Sequence, residues 1–147
     1  MSSKFPYLKA FIVFPFILQI LGMIIGFCLN DNIDETFTVT DLIVFYFSST
    51  FFIATIPAFL IALWAKAYRY TRYNVFAIVL ISAIIAFCYS NVAGYIYMTL
   101  FETSMTFGTW LYSGALDVAL LFSCGMALYS VLTLPLLLPK ERSIDKK

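Results

Sequence analysis

The chain has 147 residues, of which 63% are hydrophobic, 19% aromatic and only 12% charged, and its mean hydropathy is +0.94. Soluble domains carry roughly 25% charged residues, so the composition excludes a soluble core and makes the lipid bilayer the first partner. A net charge of +1 without a dense basic patch leaves no footprint for nucleic acid, and zero histidines remove histidine acid–base catalysis, b-type haem ligation and most catalytic zinc sites.

Lys4 and Lys9 precede an uninterrupted apolar run from Ala10 to Leu29. At 1.5 Å per residue it covers about 30 Å, the thickness of the hydrocarbon core. It is too long for a signal-peptide core, no small-residue cleavage site follows, and Phe27 precedes Cys28 where a lipoprotein signal wants a small residue. The run therefore reads as a retained span. A polar loop from Asn30 to Asp41 follows, with Asp31, Asp34, Glu35 and Asp41, the last placed to cap the next helix. The second span covers about 42–65, and Pro57 predicts a kink there because it removes a backbone hydrogen bond.

A basic-aromatic turn, Lys66 to Tyr73, leads through Asn74, a candidate cap, into a third span of about 75–100. Phe101 to Thr109 is a second loop whose one charge is Glu102, and the fourth span runs over about 110–138. Pro135 interrupts it late, Pro139 stops it, and a charged tail runs from Lys140 to Lys147. The expected fold is an all-α integral membrane protein: one domain over 1–147, with four transmembrane helices in an antiparallel up-down bundle.

All nine basic residues fall at one side of this layout, and the two opposite loops hold five carboxylates and no lysine or arginine. The positive-inside rule then puts both termini in the cytoplasm. Short loops and the lack of N-x-Ser/Thr sequons fit a bacterial inner membrane.

Counting from each basic anchor places Gln19 about 15 Å deep, near the midplane. Ser49 lies about 25 Å from Lys66, Asn91 about 28 Å from Arg72, and Asp117 about 34 Å from Lys140. Asp117, Asn91, Ser48 and Ser49 are therefore expected near the outer edge of the hydrocarbon, and with Gln19 they form a candidate polar pocket. Small residues mark candidate packing faces: Gly22 and Gly26 in a GxxxG, Ser90 and Gly94 after Ala83 and Ala86, and Gly114 and Gly125. Intramolecular packing is the expected use of the GxxxG, with a homodimer face as the alternative. Cys28, Cys88 and Cys124 form no CxxC and read as small apolar residues in packed helices.

Tyr95, Tyr97, Phe101, Phe107, Trp110 and Tyr112 are expected to gather at the outer interface as an exposed aromatic ledge, a candidate partner surface. An enzyme is disfavoured, because paired buried carboxylates, a Ser–Lys pair at like depth and a phosphate-cradling glycine loop are all missing. Neither a cofactor nor a metal is implied. The favoured function is non-enzymatic binding of another membrane protein or a membrane-inserting toxin, in or at the outer side of the membrane. Such a protein is an accessory or assembly factor, or an immunity protein. The alternative is a small homo-oligomeric transporter or channel whose polar pocket surrounds Asp117 and Asn91.

Overall fold

The computed structural model describes residues 7–29, 38–101 and 106–140, and the regular structure among them is entirely helical. Lys4, Asp31, Asp34, Glu35, Glu102 and the tail after Lys140 lie outside the described residues, as does the side chain of Phe101. Four long helices carry the chain: α1, Leu8–Cys28, α2, Val39–Ala67, α3, Val75–Phe101, and α4, Phe107–Leu137. All four are long and apolar enough to cross a membrane.

Two threonines set helix starts that the apolar pattern alone places later. Thr38 caps α2 through its hydroxyl, which accepts from the Asp41 N–H at 3.3 Å, while the Asp41 carboxylate accepts from the Thr38 N–H at 3.2 Å. Asp41 is thus the third residue of a capping box and not the cap itself. Thr106 likewise accepts from the Thr109 N–H at 3.3 Å, so α4 begins at Phe107, ahead of Trp110. Asn74 turns the other way: its Oδ1 accepts from both the N–H and the hydroxyl of Thr71, each at 2.9 Å, and fixes the turn before α3.

Two helices are interrupted by π-helical turns. In α2 the turn covers Phe51–Thr55, directly ahead of Pro57. The proline ring crowds the preceding turn and brings no N–H, so the helix widens before it to keep its ladder. In α4 the turn covers Leu111–Ala115, and inside it Gly114 takes φ 93°, a left-handed conformation that costs a residue with a Cβ far more. Beyond Pro135, α4 ends where Leu138 becomes extended before Pro139.

Neighbouring helices run antiparallel. Phe11 stacks edge-on with Phe59, while Gly22 faces Thr50 and Gly26 faces Tyr46, so α1 and α2 descend against each other. Ser123 Oγ donates to the Ala83 carbonyl at 2.8 Å and Trp110 lies on Gly94, which sets α4 against α3. The two hairpins join through Phe14, stacked 4.8 Å from Tyr129, whose hydroxyl donates to the Phe14 carbonyl. At the basic end, the Arg72 N–H donates to the Pro139 carbonyl at 3.1 Å and ties the α2–α3 turn to the end of α4.

The core fills the basic half. Phe14, Ala58, Ile61, Ala62, Ile78, Ala86, Met126 and Leu134 are buried together. Towards the opposite end, no described residue of α1 beyond Gln19, of α2 before Thr50, of α3 beyond Asn91 or of α4 before Ala115 is buried. There the helices pack as two separate pairs, through glycine.

A Cβ on Gly22 would stand 2.3 Å from Thr50 Cγ2, and one on Gly26 would stand 2.5 Å from the Tyr46 ring. The GxxxG is used within the chain. Gly125 and Gly114 meet nothing within 4 Å, so these two do not form the packing face expected of them. The three cysteines also depart from expectation, since all are exposed on outward sides of their helices. Gly22→Val is expected to destabilise the protein by about 1–3 kcal/mol through overpacking. Gly125→Ala is expected to be neutral or stabilising by up to about 1 kcal/mol, as alanine is the better helix former. Equilibrium unfolding in mixed micelles measures both, and a Gly22→Val protein of undiminished stability would remove the close α1–α2 seam.

Candidate functional site

Gln19 is buried near the middle of α1. Its Nε2 donates to the Phe47 carbonyl at 3.0 Å, and its Oε1 accepts from the Thr55 hydroxyl at 2.5 Å. Both partners flank the π turn of α2. The Phe51 N–H is shared between the Phe47 and Ser48 carbonyls, leaving a lone pair of Phe47 for the amide. One step on, the Ile56 N–H bonds Phe51, and the next donor in line belongs to Pro57, which has none. The Phe52 carbonyl is thereby orphaned within the helix, and the Tyr89 hydroxyl of α3 donates to it. Gln19, Thr55 and Tyr89 together close the gap that Pro57 opens.

The other expected pocket residues do not converge on Gln19. Asn91 is buried, but its Nδ2 donates back to the Phe87 carbonyl of its own helix at 2.9 Å, and its Oδ1 finds no partner. Ser48, Ser49 and Ser90 are half-buried. Asp117 faces away from the bundle altogether. The buried face of α4 is Ala115, Ala119, Ser123, Met126, Ser130 and Leu134, and Asp117 lies on the opposite side among exposed Leu116, Val118, Leu120 and Leu121. One helix turns it out and another turns Asn91 in, so a shared Asp117–Asn91 pocket is not formed.

Its depth also differs from the count along α4. Asp117 falls midway between the Ser123–Ala83 and Trp110–Gly94 contacts, level with about Tyr89. Tyr89 reaches Phe52, and Thr55 reaches Gln19, so Asp117 shares the Gln19 layer to within about one turn, ~5 Å. Gln19 is itself near the middle of α1. The straight count from Lys140 overshoots because α4 uses more residues than α3 to rise from the Arg72–Pro139 contact to the Ser123–Ala83 contact.

Asp117 has no hydrogen-bond or ion-pair partner among the described residues. It does stand in the first turn of the helix that restarts after Gly114. A carboxylate there gains about 0.3–1 kcal/mol from the helix dipole. In the middle of a bilayer an aspartate costs about 2.5–3.5 kcal/mol on insertion scales. At that depth the local dipole would offset only a minor part of the cost.

The aromatic ledge divides in two. Trp110 packs in, its Cζ2 2.7 Å from where a Gly94 Cβ would stand, and Tyr95 meets Phe107 edge-on at 5.1 Å. Tyr112, 92% exposed, Tyr97, 60%, and Phe107, 45%, face outward around them. Asn91 Oδ1 and Trp110 Nε1, an acceptor and a donor, are both buried and unpartnered at this end of the α3–α4 seam. The Gln19–Thr55–Tyr89 brace had only Gln19 as a forward signal. Its partners are backbone carbonyls that exist because the helix is irregular, which composition does not show.

The chain belongs to a family whose model, described as "Uncharacterized protein", matches residues 7–120. An uncharacterized protein of Haemophilus influenzae is 44% identical over 115 residues, covering 78% of this chain and 97% of the relative. No solved structure matches the chain. The family match takes in α1 to α3 and α4 as far as Leu120, and so includes Gln19, Thr55, Tyr89 and Asp117.

Gln19→Leu and Thr55→Val are expected to be coupled. A double-mutant cycle in reversible unfolding should give an interaction of about 0.6–1.7 kcal/mol, the range for interhelical hydrogen bonds in membranes. Additivity of the two single changes would show that the amide does not brace the π turn.

Proposed function

We propose that the protein is a non-enzymatic, multi-pass protein of the bacterial inner membrane, with both termini cytoplasmic. Its role is to bind a partner protein within or at the outer side of the membrane, as an accessory or assembly factor or as an immunity protein against a membrane-inserting toxin. Four bilayer-length helices support the membrane setting. The one-sided distribution of Lys9, Lys66, Arg69, Arg72 and Lys140 supports the orientation.

The observation that carries the partner reading is the outward aromatic set at the end remote from those cations. Tyr112 is almost wholly exposed, and it projects from a π turn anchored by Trp110 on Gly94. Tyr97 and Phe107 flank it. Rigid, amphipathic aromatics on a fixed base are the residue type that anchors protein interfaces, since they contribute large area at small entropic cost. The polar side chains that a transport path would need are instead dispersed, with Gln19 satisfied inside the α1–α2 seam and Asp117 turned outward.

Alkaline phosphatase joined after Thr106 should be active and joined after Arg72 inactive, the reverse pattern being incompatible with the orientation. A photo-crosslinking amino acid in place of Tyr112 should give a discrete adduct in cells, while the same group at Leu136, 78% exposed at the basic end, should not. Adding Tyr97→Ala and Phe107→Ala should lower the adduct yield about tenfold, as loss of interface anchors does. Equal labelling from both positions would count against the ledge.

A further inference from the structure

We infer that the outer face of α4 around Asp117 is the seat of a transmembrane helix from a partner protein, one that presents a lysine or arginine at mid-bilayer. The inference rests on the membrane-partner reading above and gives that partner its chemistry. It starts from the carboxylate. Asp117 lies on the outward side of α4 in the Gln19 layer, without a partner among the described residues and between exposed Leu116 and Val118. A charge in the hydrocarbon faces another protein or a water-filled cavity, not bare lipid.

The second observation is Gly125, two turns along the same outer face. A glycine inside a helix is disfavoured unless something uses its missing side chain. Gly22, Gly26 and Gly94 are used, each by a side chain that a Cβ would strike. Gly114 is used by its positive φ, and Gly108, which also meets nothing within 4 Å, lies in the first turn of α4 and not in a helix interior. Gly125 has ordinary helical surroundings and nothing within 4 Å. Its use lies outside the chain, as a notch where a second helix backbone can approach, with Asp117 one end of the contact.

The sign of the partner's group follows from where this chain keeps its own. Among the described residues, Lys9, Lys66, Arg69, Arg72 and Lys140 all stand at the basic end of the helices. A second copy inserted the same way round would bring another Asp117 to this height, and like charges repel. A cation on a different helix neutralises the carboxylate and leaves both groups hydrogen-bonded, which is the arrangement a low-dielectric site rewards.

The test uses the full chain in phosphatidylcholine vesicles and three synthetic leucine-rich spanning helices: one with a central lysine, one with lysine near its end, and one with neither. Energy transfer between labelled protein and labelled helix reads association. The central-lysine helix should bind at least about tenfold more tightly than the other two. Asp117→Asn should remove most of that preference and Asp117→Leu all of it. Gly125→Leu, which keeps the charge and fills the notch, should weaken binding as well. Circular dichroism and gel filtration verify that each variant is folded, and the outward position of both residues makes them tolerant of change.

Equal binding of all three helices, or a preference that survives in Asp117→Leu, overturns the inference. So does wild-type self-association that Asp117→Leu abolishes while the central-lysine helix fails to compete, because the occupant is then a second copy. The aromatic-ledge crosslinking in cells is read separately. An adduct there without lysine selectivity here leaves the partner reading standing and rejects this site, whereas loss of the adduct rejects the partner reading itself.

Discussion

A proline in the middle of a bilayer-length helix leaves backbone carbonyls that lipid cannot satisfy, and the bundle is built around the way α2 meets that constraint at Pro57. The helix widens into a π turn from Phe51 to Thr55, which moves the unsatisfied position to Phe52 and puts an extra acceptor at Phe47. Gln19 comes from α1 and Tyr89 from α3 to take up those positions, while Thr55 supplies the hydroxyl that occupies the other side of the Gln19 amide. A break in one helix is thus repaired by two others, and the repair fixes their relative height. Gln19 is tolerable in hydrocarbon because both ends of its amide are hydrogen-bonded; a lone amide at that depth costs several kcal/mol.

The buried core lies on the basic side of this joint, and packing on the other side is local to each hairpin. Below it, Phe14 and Tyr129 stack across the two hairpins, with Ala58, Ala62, Ala86 and Met126 around them. Above it, the contacts are local to each hairpin, Gly22 and Gly26 on α2 side chains and Gly94 under Trp110. The joint divides a half that holds the buried core from a half without one, where Tyr112 is 92% exposed. A partner that binds the outward half meets a scaffold already fixed by the other.

The gross fold was legible in the sequence because it rests on long-wavelength signals: apolar runs of bilayer length, loops of polar residues, and Gly22 and Gly26 one turn apart. Helix ends were less so. Thr38 and Thr106 act by hydrogen bonds three residues ahead, and apolar counting starts each helix at the first greasy residue instead. Two coordinates of the site, height and facing along α4, are not legible from counting residues. Height along α4 rests on a straight rise from Lys140, whereas α4 spends more residues than α3 between the Arg72–Pro139 and Ser123–Ala83 contacts. Facing is not legible either: Gly114 and Gly125 read as packing residues from their size, whereas Asp117, Cys124 and Gly125 are exposed on the side of α4 away from its buried stripe. The pattern contained the right residues but not the sign, since a stripe of small residues serves a neighbour inside the chain or one outside it equally well.

That ambiguity resolves once each glycine is asked what occupies the space its side chain would fill. Three of the helical glycines answer with a specific atom of a neighbouring helix, one with a backbone angle, and Gly108 with open space in the first turn of α4, outside the helix interior. Gly125 answers with open space, on the face that also carries Asp117. Gln19 and Asp117 stand at nearly the same height, and the difference between them is a rotation about the helix axis. The amide is turned inward, where backbone carbonyls of α2 complete it. The carboxylate is turned outward, where nothing in the chain does. A polar group satisfied from within holds the fold together; one left unsatisfied at the same height, beside a notch the fold does not use, is what the inferred partner helix would answer.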